Sequence, residues 1–278
     1  DASTDKTREL LTSINDLRLC WHTNTANLGR VANYRDLLVH HAQGQWVVNL
    51  DGDDFFIDPT FISSAIRAVR SNPDTVIVFA DRYEFQDPVP KIIPERRAET
   101  ARPELMQGME YILSWPKTKT RIHHLTALYN RPKALETDFY TKNIISSDYD
   151  SLFRLMAHGM VIHIPARVAV WRHHTQNASA HKSIAQKLDD LLWMEHVCEY
   201  VSDIQPDQSA MMKRWLRANI AHRYYGFLLS SVRDGDRTSL KAIEKELDKR
   251  YPRLRISVLR RPSVWLKLIL HAFRKVLR

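Results

Sequence analysis

Glycine is scarce in this chain. Seven glycines occur in 278 residues, less than half of an ordinary usage of roughly 7%. They stand at positions 29, 44, 52, 108, 159, 226 and 235, and neither GxGxxG nor GxxxxGKS/T can be written from them. A glycine-rich phosphate cradle is therefore excluded. A nucleotide bound here has to be held by acids, a metal and side chains. Cysteine is scarce too. Cys20 and Cys198 lie far apart with no CxxC spacing, which excludes a disulfide framework or a cysteine zinc site and fits a reducing compartment. No uninterrupted apolar run is long enough to cross a bilayer. No signal peptide is visible, and the chain starts at Asp1 without Met, so an incomplete N-terminus is expected. Acid is missing from one end of the chain. From Arg250 to Arg278 there are nine Lys or Arg and no Asp or Glu. Residues 1–249 hold equal numbers of basic and acidic residues, so the net charge of +9 sits in the tail. The body does not read as a nucleic-acid binder.

What is present is enough for a full core: 44% of residues are hydrophobic. The densest chemical signal is Trp46-Val47-Val48-Asn49-Leu50-Asp51-Gly52-Asp53-Asp54, a short apolar strand that ends in three carboxylates. Three like charges at that spacing repel one another, and a divalent cation, which takes carboxylate oxygens, removes the repulsion. Around it, helical and strand patterns alternate. Asp5 caps a helix carrying Leu10, Leu11, Ile14 and Leu17, and Leu17 to Trp21 reads as a strand. A helix is expected over Arg30 to Gln43 and another from Pro59 through Val69. Thr75 to Ala80 is a buried strand. This alternation predicts an α/β fold with a largely parallel sheet, and ligands of such sheets sit at the carboxyl ends of strands, where Asp51–Asp54 falls. Four of the twelve prolines lie at 88, 90, 94 and 103, so residues 86–103 read as a long irregular loop. His124 to Asn130 reads as a strand, Asp148 to His158 as a helix, and Val161 to Pro165 and Val168 to Trp171 as two short strands. From Ile184 onward the pattern is helical.

In order along the chain, Asp1-Ala2-Ser3-Thr4-Asp5-Lys6-Thr7, Asn27-Leu28-Gly29, Gly44-Gln45-Trp46, Leu50-Asp51-Gly52-Asp53-Asp54, Ser147-Asp148-Tyr149-Asp150 and Trp171-Arg172-His173-His174 resemble the motifs of the family 2 glycosyltransferases of the GT-A fold. The likeness covers residues 1 to about 180. It implies a Rossmann-like, mostly parallel sheet in a catalytic domain over 1–183, followed by a helical, basic region over 184–278. It also implies that the family's first strand, helix and second strand precede Asp1. By resemblance, Asp53 ligates Mn²⁺ or Mg²⁺ on the donor diphosphate, Asp51 holds ribose or metal, and His174 completes the metal site. Asp1 accepts a hydrogen bond from the base, with uracil expected. Ser3, Gly29, Arg30, Asp54 and Arg172 contribute to the nucleotide-sugar site, and Asp148 is the catalytic base. Ser147 stands where the family usually has Glu.

The chemistry agrees with the resemblance. Sugar transfer needs a cation for the leaving diphosphate and a carboxylate for the acceptor's proton. The expected substrates are a nucleotide-sugar donor and a glycan or lipid-linked acceptor, with one base and in-line attack giving inversion, in cell-surface polysaccharide synthesis. Two other readings use the same residues: a metal-dependent nucleotidyl or phosphoryl transferase, and a non-catalytic truncated module that binds membrane or a partner glycosyltransferase. Several groups have plainer readings as well. Asp51–Asp54 also suits a solvated turn, Asp148 a helix N-cap, and Asp150 competes with it as the base. The pairs His40-His41, His123-His124 and His173-His174 do not read as chelates, because neighbours on a strand face opposite sides. Ser263 to Arg278 carries Lys267, His271, Arg274 and Arg278 opposite Trp265, Leu268, Ile269 and Phe273. This is the pattern of a basic helix lying in a membrane interface, and it predicts a cytoplasmic protein held on the inner face of the cell membrane.

Overall fold

The structure is a computed structural model that describes residues 1–86, 92–93, 102–118, 120–175, 177, 183–252 and 254. It opens with α1 (Thr7–Ser13), whose first free amide, that of Thr7, donates to Asp5 Oδ1 at 2.9 Å. This helix buries nothing; Leu10 and Ile14 are exposed, and so, beyond its end, is Leu17. The strand expected over Leu17–Trp21 does not form. A strand's amides need a ladder partner, and here they are satisfied locally: Leu19 N donates to Asp16 O, and Arg18 N to the Asp16 carboxylate. Helix α2 (Arg30–Asp36) runs straight into a π-helical turn, Leu37–His41, and ends two residues before Gln43.

Next come β1 (Trp46–Val47), β2 (Phe55–Phe56), α3 (Phe61–Arg70), β3 (Thr75–Gln86), β4 (Ile92–Ile93) and β5 (Glu104–Gln107). Then follow α4 (Gly108–Ser114), β6 (Ala127–Asn130), α5 (Arg131–Glu136), α6 (Ser147–Met156) and β7 (Met160–His173). The C-terminal helices are α7 (Ile184–Asp189), α8 (Leu192–Ile204), α9 (Ser209–Asp234) and α10 (Arg237–Arg250). Most of the proline-bearing stretch 86–103 and the whole of Ser263–Arg278 lie outside the described residues.

The α/β class and the helical C-terminal region stand as expected, but the sheet is mixed. Its order is β1-β6-β3-β7-β2, with β4 on β3 and β5 on β7. Only β3 and β7 pair in parallel, over the full span from Thr75↔Met160 to Gln86↔His173; every other described pair is antiparallel. A parallel neighbour needs a long crossover. The chain from β4 through α6 provides one between β3 and β7, while strands of two to four residues fill the remaining edges. The two strands expected at Val161–Pro165 and Val168–Trp171 are one. Pro165 has no amide for the ladder, and the register jumps there, from Ala80↔Ile164 to Asp81↔Arg167. A bulge absorbs the proline and lets the strand continue.

Strand β3 is apolar on both faces because both are covered. Ile77 and Phe79 enter a large core with α2, α4, α6 and the C-terminal helices, while Val78 and Ala80 face a smaller one built on α3 and β7. The large core is continuous across residue 183. Phe153 on α6 is fully buried and meets Trp115, Tyr111 and, from α8, Trp193 edge to face, with the Trp193 centroid 5.0 Å away. Close packing also explains Gly108. A Cβ there would lie 1.8 Å from Met156 O, so α4 can start against the end of α6 only without a side chain. Replacing Phe153 by Ala removes the ring that joins α6 to α8. We expect it to cost about 3–5 kcal/mol, read as a lowered midpoint in chemical denaturation with both regions unfolding together.

Candidate active site

The acid cluster is held from below and from the side. Past β1 the chain continues through Asn49, whose Oδ1 accepts from the hydroxyls of Tyr129 (2.8 Å) and Tyr140 (2.9 Å). Tyr140 itself sits at φ 57°, a conformation rare for a bulky residue, with its amide donating to Ser151 Oγ on α6. The turn then closes with Asp54 N on Asp51 O.

Each carboxylate meets a different donor. Asp51 takes the Tyr34 hydroxyl in a short hydrogen bond. Asp54 Oδ1 accepts from the backbone amide of Arg172 at 2.9 Å. Asp53 Oδ2 lies 2.9 Å from His174 Nε2 and accepts from Asn177 Nδ2 at 3.1 Å. Four groups, from α2, from the end of β7 and from just beyond it, therefore hold charges that would otherwise push apart. The match is incomplete. Asp54 is pushed up to about 6, by burial first and then by the charges of Asp53 and Asp51, against the pull of the Arg172 amide.

Facing the acids across a cavity of about 330 Å³ is the start of α6. Asp51, Asp54, Arg30, Arg82, His124, Ser146, Asp148, Tyr149, Trp171 and Asn177 all line this space. Helix α6 is fixed there by the C-terminal region: the Ser146 amide and hydroxyl donate to the Asp190 carboxylate at 2.7 and 3.1 Å. Asp148, in the first turn of the helix, lies on the cavity wall. Asp150 does not compete with it. It is fully buried, ion-paired to Arg154 at 2.7 Å and bonded to His196 at 3.2 Å.

Two cations face the same space. Arg30 Nη2 donates to the carbonyls of Ile144 and Ile145, which ties α2 to the loop before α6. Arg82, at the far end of β3, stacks over the Trp171 ring at 4.1 Å and bonds Glu84 at 3.1 Å. Nothing in the sequence reading pointed to Arg82. The signal was there, in a charged residue just past the buried apolar run that ends at Ala80. Tyr34, Tyr140 and His124 were likewise missed. His124 is half-buried on the cavity wall, bonded to the Tyr140 hydroxyl, and held below the usual imidazole range by loss of hydration there.

Residues 1–137 match the model of the family described as Glycosyl transferase family 2. Over these residues, just under half of the chain, it carries a glycosyl transferase family 2 domain. Its mixed α/β sheet and helical C-terminal region fit the GT-A class of that family. The matched residues bring the acid cluster, Arg30 and Arg82; Asp148, Arg172 and His174 lie past their end. The chain is also similar to uncharacterized proteins of Mycobacterium bovis and Mycobacterium tuberculosis. Each is 22% identical over 231 residues, which is 78% of this chain and 64% of the relative. The chain thus spans just under two thirds of the length of these curated relatives.

Set against the family's motifs, the residues expected to bind nucleotide-sugar divide. Asp51, Asp54, Arg30 and Asp148 come together around the cavity, while Asp53 and His174 pair with each other outside its lining, joined to it through Asn177. Asp1 is occupied otherwise. Its Oδ1 accepts from Asn24 Nδ2 and Leu28 N, and its Oδ2 from Gly29 N at 3.0 Å. It thereby shapes the loop leading into α2, and Gly29, at φ +82°, is the residue that lets this loop turn into the helix. Ser3 is exposed and does not line the cavity. Arg172 contributes its amide to Asp54, while its side chain is not among the cavity-lining groups.

Asp54 links this geometry to pH. Its folded value lies above the ordinary 3.8, so its contribution to stability is fully present below pH 3.8 and is lost as pH rises through about 6. Asp54→Asn keeps an acceptor for the Arg172 amide and removes the charge. In ion-free buffer we expect the variant to gain on the parent by about 1 kcal/mol between pH 5 and pH 7.5, after allowance for a half-exposed site. Denaturation midpoints at the two pH values measure this; a gap that does not change with pH contradicts it.

Proposed function

We propose that this chain transfers a sugar from a nucleotide-diphosphate donor, UDP-linked by the family's habit, to a hydroxyl of a glycan or lipid-linked acceptor, with inversion at the anomeric carbon. The observation that carries the reading is one cavity lined together by Asp51 and Asp54 of the acid cluster, by Asp148, and by Arg30 and Arg82. Acids alone would repel a diphosphate. With two arginines beside them, the same space suits a phosphate-bearing ligand.

The donor set also fits a divalent cation. Cis donors on an octahedral ion with bonds of about 2.0–2.1 Å stand about 2.9 Å apart, which is the separation of Asp53 Oδ2 and His174 Nε2. Asp53 and His174, with Asp51 near them in the turn, would hold Mn²⁺ or Mg²⁺, and such an ion supplies charge stabilisation for the leaving diphosphate. The remaining work falls to side chains. Arg82, braced by Trp171 and Glu84, offers N–H donors to phosphate oxygens as they gain charge. Asp148 accepts the acceptor hydroxyl's proton while the new C–O bond forms and the bond to the diphosphate oxygen breaks. One wall carboxylate serving as base, with Asp150 withdrawn into its ion pair, favours direct displacement and inversion.

The role in surface polysaccharide synthesis and the placement on the inner membrane face rest on the Ser263–Arg278 sequence pattern. No helix among the described residues is long and apolar enough to cross a membrane.

Asp148→Asn tests the chemistry. With a donor and acceptor that the parent chain joins, we expect transfer to fall by on the order of 10²–10⁴-fold, with donor binding and melting temperature unchanged. Near-normal transfer by a folded Asp148→Asn variant would remove the base from the mechanism, and loss in Asp150→Asn through unfolding alone would fit its structural role.

A further inference from the structure

One cluster of metal-capable side chains lies apart from the acid turn. It is made by the π-helical segment Leu37–His41 and the loop before α2. In an α-helix the residue five places after an acid lies about 140° around the axis from it, so His41 would face away from Asp36 while His40 faced it. The π turn, closed by Ala42 N on Leu37 O at 2.7 Å, widens the helix and brings positions four and five after Asp36 back towards it. His40 Nδ1 lies 2.8 Å from Asp36 Oδ1, and His41 Nε2 lies 3.3 Å from Asp36 Oδ2. A third imidazole arrives from the loop: the His22 ring stacks on His41 with centroids 4.6 Å apart. Donor atoms of His22, Asp36 and His41 all lie within 4.8 Å of one another, the one such group of three among the described residues.

We propose that His22, Asp36 and His41 form a site for a borderline transition-metal ion of the zinc class, with His40 orienting the carboxylate from outside. Imidazole nitrogen with one carboxylate is the donor set of Zn²⁺, Ni²⁺ or Cu²⁺, not of Mg²⁺ or Ca²⁺. Tetrahedral zinc with bonds of about 2.0–2.1 Å holds its donors about 3.3 Å apart, which is the spacing Asp36 and His41 already have. His22 is exposed on its loop and has to close by a fraction of its present separation. The hydrogen bond from His40 to the other carboxylate oxygen is the outer contact that fixes a metal-bound acid.

The site has a structural consequence. Two residues after His22, Asn24 Nδ2 donates to Asp1 and to Asn33 on α2, and the same loop carries Leu28 and Gly29 onto Asp1. A metal at His22 therefore ties this loop to the helix that presents Arg30 and Tyr34 to the cavity. It acts as a clasp beside the proposed donor site and takes a different class of ion from Asp53 and His174.

The test is zinc binding to the full chain without a histidine tag, after chelator treatment, by competition with a chromophoric chelator. One zinc per chain is expected at micromolar or tighter affinity, unaffected by excess Mg²⁺ and accompanied by a raised melting temperature. His22→Ala and Asp36→Asn each abolish that binding, and His40→Ala weakens it by ~10-fold or more. Asp53→Ala leaves it intact, which separates this site from the proposed catalytic one whether or not transfer is ever observed. These variants change partly or largely exposed side chains, and circular dichroism confirms that each remains folded. No zinc binding at micromolar concentration overturns the proposal. So does binding that survives both His22→Ala and Asp36→Asn, or binding that Asp53→Ala removes.

Discussion

Repulsion among Asp51, Asp53 and Asp54 is the constraint around which the site is built. Three carboxylates in one turn cannot be held close without donors from elsewhere, and the fold provides one to each: Tyr34 from α2, the Arg172 amide from β7, and His174 with Asn177 just beyond it. Those donors have to be in register. The parallel pairing of β3 with β7 carries Arg172 and His173 to the level of Phe85 and Gln86, and the bulge at Pro165 lets β7 reach that far. Hydrogen bonds offset part of the repulsion; Asp54 stays raised, by burial first and then by the Asp53 and Asp51 charges that remain. The residue is the electrostatic argument for a cation.

The second wall depends on the C-terminal helices. Asp190 holds the start of α6, and Trp193 packs on Phe153 about two turns further along the same helix. Asp148, the proposed base, is thus positioned by residues outside the part of the chain that matches the family. Arg154 anchors the other end of the helix by reaching from Asp150 to the carbonyls of Thr137 and Asp138. The helix that carries Asp148 is therefore pinned at both ends by polar bonds and in the middle by aromatic packing.

Much of this was legible in the sequence, and what was not has identifiable physical causes. The apolar run Thr75–Ala80 and the acids after Leu50 signal a buried strand and a strand-end site without any structure. The failures were failures of non-local information. Leu17–Trp21 has strand composition, but a strand exists only where another offers its ladder. The sheet was expected to be parallel because helices alternate with strands, yet short edge strands can return antiparallel without a crossover. Asp148 and Asp150 look equivalent in sequence; only the positions of Arg154 and His196 tell them apart. Arg82 and Tyr34 escaped because their relevance comes from partners across the fold. His40-His41 was set aside as a chelate on the geometry of a strand, whereas the pair sits on a π turn, a local register that periodicity does not announce.

The central claim is that the acid turn is a diphosphate site completed by a divalent cation. Calorimetric titration of the chain with UDP, with and without Mn²⁺, tests it most directly when the same titration is run on Asp53→Ala. The account predicts binding that requires Mn²⁺ and disappears in the variant. UDP binding of equal strength without the ion, or undiminished in Asp53→Ala, would contradict it.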